Sequence, residues 1–221
     1  MVISRRIYRW FYDHIHSHYY NLLLKWCFLP FGGEERCREA LVASVSFSEG
    51  ERILELCCGT GGATCAITGR AEKACAIVGW ELSIGQLSNA RRRPGLERVH
   101  WIQGDASRIA LRDRVFDKVF ITHALHEMPR DIRYRVLAEA RRVVKERGKV
   151  IVLEIDNPPS PLLRLFVGFW FFYWLPFNFE TPTRRDMFRH GLTREIQETG
   201  LRNVVKTSKY GGVFQVIECE S

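Results

Sequence analysis

The rhythm of apolar and polar positions changes near residue 51. Before it, apolar residues recur at helical intervals. Residues 1–30, rich in aromatics and histidine, end at Pro30-Phe31-Gly32-Gly33 and predict one or two N-terminal helices; Glu34–Val45 predicts another. From Glu51 on, short apolar runs alternate with turn-rich or helical stretches. Strands are predicted at Arg52–Cys57, Ala74–Trp80, Val99–Gln103, Phe116–Thr122 and Lys149–Ile155. The clearest helix is Asp131–Arg147, where Ile132, Val136, Leu137, Ala140, Val143 and Val144 form one apolar stripe and Gly148 stands at the expected C-cap. Such alternation predicts a parallel sheet with helices on both faces. A last helix, Arg185–Thr199, is stopped by Gly200, and two more strands follow at Asn203–Ser208 and Val213–Cys219. Their connection, Lys209-Tyr210-Gly211-Gly212, is too short for a crossover helix, so they pair as an antiparallel hairpin. The expected fold is α/β: a seven-stranded, mostly parallel sheet with a C-terminal antiparallel hairpin and an N-terminal helical lid.

Composition narrows the class. A chain of 221 residues, 46% hydrophobic and 26% charged, suits one globular domain. The net charge of +8 invites nucleic acid, but its distribution argues otherwise. Residues 101–150 hold 12 Lys/Arg against 7 Asp/Glu, whereas residues 151–221 hold 8 of each. Much of the excess lies in the amphipathic stretch Arg130–Lys149. A solvated helix face is the plainer reading, and weak attraction to anionic lipid or RNA the functional one. Nucleic acid is not expected as a partner, and the oligomeric state is left open. Seven cysteines, an odd number, do not make a disulfide framework, and the N-terminus lacks the apolar core and cleavage site of a signal peptide. A reducing cytoplasm with thiol cysteines is the expectation. No CxxC, HExxH or His/Cys cluster has ligand spacing, so no metal is expected.

The strongest chemical signal is Ile53-Leu54-Glu55-Leu56-Cys57-Cys58-Gly59-Thr60-Gly61-Gly62, a strand running into a glycine turn and then a helix. Gly59 and Gly61 let a ligand approach the backbone closely, because no Cβ blocks it. Such a turn binds nucleotides in general. Two features turn the reading from NAD toward S-adenosylmethionine (SAM). Position 64 is Thr where the dinucleotide fingerprint has its third glycine. NAD brings a pyrophosphate to the helix N-terminus, whereas SAM brings an amine that Glu55 could hold, directly or through water. Glu81 ends the second strand, 20 residues after Gly61, where an acid accepts from both ribose hydroxyls. Asp105, in Gln103-Gly104-Asp105-Ala106, ends the third and could accept the adenine amine. Any one of these could be a solvated turn acid; three at successive strand ends form a set.

On these residues the chain resembles the class I SAM-dependent methyltransferases, most specifically over residues 50–157. ILELCCGTGG is similar to the family's first motif, VGWELS to its acidic motif, and QGDAS to its third-strand motif. FDKVF followed by HALHEMP resembles its fourth strand and loop, and RVVKERGKVIVLE the passage into strand five. The resemblance implies cofactor contacts at Glu55, Cys57, Gly59, Thr60, Gly61, Glu81, Leu82, Gln86, Asp105, Ala106 and Thr122. One departure stands out: Cys57 occupies the usual first glycine. Within the superfamily the look is nearest to small quinone-, lipid- or phosphatidylethanolamine-type methyltransferases, through Tyr12-Asp13 and the C-terminal helix, Gly200-Leu201 and Gly-Gly hairpin.

Methyl transfer from a sulfonium needs alignment and exclusion of water, with a base where the acceptor must lose a proton. His126 and His123, in the loop after the fourth strand, are the candidates; a solvated or structural histidine is the plainer reading of each. Tyr12, His16, Tyr19 and Tyr20 could fold over the cofactor as a lid. Asn157-Pro158-Pro159 looks like an amino-methylating motif, but it follows strand five and ends in Ser160, so it is set aside. Cys57, Cys58 and Cys65 suggest thiolate chemistry, against the plainer reading of small buried residues. The apolar run Leu162–Phe177 is too short and interrupted for a span of about 20 residues. Three readings stay open for it: ordinary core, an acceptor wall contributed by Trp170 and Tyr173, or an interfacial membrane or dimer surface favoured by Arg164, Arg184 and Arg185.

The expectation is one methyltransferase domain: a helical cap over 1–48, a SAM-binding core over 49–157, an aromatic insert over 158–184, and a C-terminal helix and hairpin over 185–221. Its substrate is a small hydrophobic acceptor, a quinone precursor or lipid amine, with a cytoplasmic or membrane-associated location. An RNA methyltransferase and a non-catalytic SAM-binding partner protein are the rival readings.

Overall fold

The computed structural model describes residues 25–71, 73–170 and 181–221. The chain forms two compact units, Met1–Ala106 and Ser107–Ser221. All seven expected strands are present.

The first unit begins with a short 3-10 turn, Leu29–Phe31, closed by left-handed Gly32. Helix α1 (Glu34–Val42) follows, then β1 (Arg52–Leu56), α2 (Gly62–Arg70), β2 (Ala76–Glu81), α3 (Ile84–Arg91) and β3 (Val99–Gln103). The three strands pair in parallel, β2 between β1 and β3, with Glu55 beside Gly79 and Glu81 beside Gln103. Two glycine–tryptophan pairs set the surfaces of this sheet. A Cβ on Gly79 would fall 2.5 Å from the Trp101 ring, and one on Gly104 2.3 Å from the Trp80 ring. Each glycine thus makes room for an indole on the neighbouring strand. Gly62 does the same for helix packing, since a Cβ there would reach within 2.2 Å of Glu34 Oε1 and 2.8 Å of Arg38 Nε.

The second unit holds β4 (Phe116–Thr122), a 3-10 turn (Leu125–Glu127), α4 (Arg130–Val143), β5 (Val144–Ile155), α5 (Pro161–Gly168), α6 (Thr181–His190), α7 (Leu192–Glu198), β6 (Arg202–Lys209) and β7 (Phe214–Glu220). β4 and β5 are parallel; β7 joins β5 antiparallel and β6 pairs antiparallel on its other side. The predicted hairpin is therefore real, and its second strand lies inside while the first forms the exposed edge.

Two predicted helices differ from those observed. The helix expected to reach Arg147 ends at Val143, and Val144 is already extended. Val143 closes the buried stripe of α4, whereas Val144 pairs with Phe116 of β4. Three extra residues then bulge before Lys149 pairs with Lys118, with Arg147 at φ 61°. Gly148 is no C-cap; it sits in that bulge, where a Cβ would meet Val144 and the carbonyls of Asp117 and Lys145 at 2.8–2.9 Å. The helix expected over Arg185–Thr199 is two helices, broken at Gly191 with φ 90° and ψ 114°. That conformation suits glycine and redirects the chain. The N-terminal helices expected over 1–30 fall mostly outside the described residues.

The α6–α7 corner is held by Arg133. This side chain is wholly buried, donates from Nε and Nη2 to the Glu195 carboxylate at 2.6 Å each, and reaches Asp186 at 2.8 Å. Its Nη1 donates to the Met128 carbonyl at 2.7 Å. Arg133, Val136, Leu137 and Ala140 share the buried face of α4.

Candidate functional site

In the first unit, the turn after β1 is built from left-handed residues. Cys57, Gly59 and Gly61 have φ of 57°, 56° and 78°. For Cys57 this conformation costs about 1–2 kcal/mol relative to the right-handed regions. The usual glycine position is thus occupied by a residue that adopts the glycine geometry. The Gly61 N–H donates to the Cys58 carbonyl at 2.9 Å, and Gly61 caps α2. No side chain can be added at Gly61 without displacing Leu96, Ala90 and Trp101, which lie 3.0–3.4 Å from where its Cβ would be.

The acids predicted from strand ends tie this turn together. Glu81, half-buried at the end of β2, accepts the Gly59 N–H at 3.0 Å through Oε2 and the Ser83 N–H at 2.9 Å through Oε1. Glu55 is fully buried and accepts the Thr64 hydroxyl of α2 at 2.5 Å. Asp105 is half-buried two residues past β3, next to Gly104, whose N–H donates to the Glu81 carbonyl at 2.9 Å. Ala106 is buried, and Leu82 is half-buried with its carbonyl accepting from Gln103. Gln86 is buried in α3, its Oε1 3.9 Å from where a Gly59 Cβ would stand.

Three buried polar atoms around this turn have no protein partner: Thr60 Oγ1, Gln86 Oε1 and Trp80 Nε1. Leaving a buried polar atom unsatisfied costs about 1–3 kcal/mol, so two acceptors and a donor stand ready for a polar ligand. Cys58 and Cys65 are poor candidates for thiolate chemistry. Burial pushes the Cys58 thiol well up, with the carboxylates of Glu55 and Glu81 adding to it, and burial also raises Cys65. None of the seven cysteines is in a disulfide.

In the second unit, Thr122 is buried at the end of β4. His123 follows with φ 47°, donates its N–H to the Leu153 carbonyl at 2.7 Å, and meets Phe214 edge-on at 5.4 Å. His126 is the better-placed histidine. Its Nδ1 lies 2.7 Å from Glu154 Oε1, and its ring is 13% exposed. Glu154 is fully buried near the end of β5 and accepts the Leu125 and His126 N–H groups at 2.9 and 3.3 Å and the Ile155 N–H at 2.7 Å. Burial alone would raise this carboxyl, but the charge and hydrogen bond of His126, the charge of His123 and the Ile155 N–H outweigh it and hold Glu154 below its ordinary value. An ionised Glu154 fixes the proton on His126 Nδ1 and raises the basicity of Nε2.

Sequence reasoning missed Glu154, although one signal was present: a single acid inside the apolar run Val150–Ile155. Of the predicted acceptor contacts, Trp170 is half-buried and stacks on Phe166 at 5.9 Å. Tyr12, Tyr19 and Tyr173 lie outside the described residues, as do His16 and Tyr20. Among the described residues, no group of three or more His, Cys, Asp or Glu could hold a metal, and no helix is long and apolar enough to cross a membrane.

A left-handed glycine turn after β1, an acid closing β2 and unsatisfied buried polar atoms beside them suit a ligand that carries a nucleoside, and the family to which the chain belongs makes it a SAM-dependent methyltransferase, with SAM as its cofactor. The profile of the ubiE/COQ5 methyltransferase family matches residues 10–181, and the chain belongs to that family. It is 28% identical to an uncharacterized methyltransferase of Synechocystis over 206 residues, 91% of either chain. It is 29% identical to the demethylmenaquinone methyltransferase of Bacillus velezensis over 201 residues, 84% of this chain and 85% of that one. Among solved structures it is similar to a SAM-dependent methyltransferase from Aquifex aeolicus, with a TM-score of 0.68, 15% identity, and 92% and 97% of the two chains covered.

Proposed function

We propose that this enzyme methylates a small hydrophobic acceptor of the quinone-precursor class, a hydroxylated aromatic ring, in the cytoplasm. The observation that carries the acceptor class is the similarity to demethylmenaquinone methyltransferases along most of the chain. Bound SAM supplies a methyl group already activated by its sulfonium. In this reading Gln86 Oε1 and Thr60 Oγ1 accept hydrogen bonds from the cofactor, and Trp80 Nε1 donates one, which satisfies three buried atoms at once. Glu81, whose oxygens accept the Gly59 and Ser83 N–H groups, would hold the ribose hydroxyls. Asp105 takes the adenine amine. Buried Glu55 would add negative charge near the cationic cofactor, the turn at Cys57, Gly59 and Gly61 would give it room, and Leu82 and Ala106 would be its apolar contacts.

The base is His126. Its Nε2 takes the hydroxyl proton of the acceptor as the ring becomes the nucleophile, while Glu154 holds Nδ1–H and stabilises the imidazolium. His123, packed edge-on against Phe214, is the lesser candidate. The test is release of S-adenosylhomocysteine by the purified enzyme given SAM and a naphthoquinol lacking its ring methyl. Turnover with the quinol is expected. Turnover only with RNA or with phosphoethanolamine, or SAM binding without turnover on any of the three, overturns the acceptor assignment.

A further inference from the structure

We propose that the exposed apolar side of α5 docks the protein onto the surface of an anionic lipid bilayer. Among its described neighbours this helix is unusual in burying none of its own residues. Leu162 is 77% exposed and Leu165 72%, and Phe166 and Phe169 are also exposed. These positions are spaced i, i+3, i+4 and i+7, so all four project from one side of the helix. Trp170 stacks on Phe166 and extends that side. The exposure does not come from a frayed end. Ser160 caps the helix by accepting the Leu163 N–H, and Pro161 occupies its first turn. On the opposite side, Leu163 lies so close to the hairpin turn that a Cβ on Gly211 would fall 2.9 Å from its Cδ2, and Pro159 stands equally close to Gly212. The helix is therefore held from beneath by Leu163, with Leu162, Leu165, Phe166 and Phe169 turned outward.

Charge selects the occupant. Residues 157–179 contain no acid and a single cation, Arg164, which is exposed. The turn that Leu163 touches is preceded by Lys209. A second copy of the chain would bring the same arginine, and no acid to pair with it, to the interface. An anionic bilayer brings the complementary sign and an apolar layer beneath it. An eight-residue helix is far too short to span, and an apolar side with a cation and no acid beside it is the pattern of a helix lying in the headgroup region. This assignment is independent of which acceptor the enzyme uses.

The experiment is flotation of the full-length protein with phosphatidylglycerol–phosphatidylcholine vesicles and with phosphatidylcholine vesicles alone, beside sedimentation velocity without lipid. The expected result is binding to the anionic vesicles at least about tenfold stronger than to neutral ones. Leu165→Glu and Leu162→Glu should each lower it by about tenfold or more, because either puts a charge where an apolar side chain would be buried. Arg164→Glu should weaken it severalfold, with SAM binding unchanged in all three. No flotation of the wild type, equal flotation with neutral vesicles, or flotation indifferent to Leu162 and Leu165 overturns the proposal. So does a dimer in sedimentation that Leu165→Glu turns into a monomer, since the side would then belong to a second copy.

Discussion

The glycine turn of the first unit and the arginine hub of the second use buried polar atoms in opposite ways. Around the turn, Thr60 Oγ1, Gln86 Oε1 and Trp80 Nε1 are buried and unsatisfied, and Cys57 holds a left-handed conformation. Around Arg133, the guanidinium reaches two carboxylates and a backbone carbonyl, and Glu195 is as fully buried as its partner. The first arrangement leaves bonding capacity unmet within the chain; the second consumes all of it. Strain and unmet demand mark binding, whereas saturation marks structure. The His126–Glu154 pair stands between them, since the acid is saturated but its partner imidazole is partly exposed.

Substitution separates these roles. Arg133→Ala strands Glu195 in the interior, so urea denaturation should show a loss of about 3–5 kcal/mol, while the double change Arg133→Met with Glu195→Leu recovers most of it. A loss under about 1 kcal/mol would mean the hub is not structural. Next in size, His126→Ala should lower kcat about a hundredfold with SAM affinity unchanged, the lower end of what a general base contributes. Glu154→Gln should lower kcat less and change the pH profile of kcat, a readout that a merely structural acid would not move. Unchanged turnover in His126→Ala removes the base from the mechanism.

The turn predicts a reversed pattern. Gln86→Leu removes an unsatisfied oxygen, so the ligand-free protein should be as stable or more so, while calorimetry should show SAM binding weakened about three- to tenfold, the value of one hydrogen bond. Loss of stability without loss of affinity would break the distinction between the two regions. The smallest effect concerns acid. Arg130 draws Asp186 down to about 2 against the opposing cost of its burial, with Arg133 assisting. Its folded value lies below the ordinary 3.8, so its contribution is complete above that value and is lost as pH falls through about 2. Asp186→Asn should flatten the acid limb of the stability curve in that window; an unaltered limb would show that this exposed pair adds nothing.

How much of this was legible beforehand depended on sequence distance. The turn from Glu55 to Gly62 could be read because a strand, a glycine turn and a helix are contiguous, and Glu81 and Asp105 followed at intervals that parallel strands impose. The Cys57 departure looked like an imperfect match; the backbone shows it performing the glycine role. Glu154 went unread because its partner His126 lies 28 residues away on another element. Arg133 carried a signal, a cation on the buried face of α4, yet Glu195 is 62 residues on. Gly148 misled because a glycine after an apolar stripe looks like a cap, and only the pairing of Val144 with Phe116 showed that the strand had already begun.

Local rules of spacing and backbone freedom were enough to determine the strands, the ligand turn and the acids at the strand ends, because each depends on residues near one another in the chain. Which carboxylate answers which cation, where α4 yields to β5, and which side of α5 is left uncovered were decided by tertiary structure alone. Burial and long-range pairing set these, and neither exists until distant segments have come together.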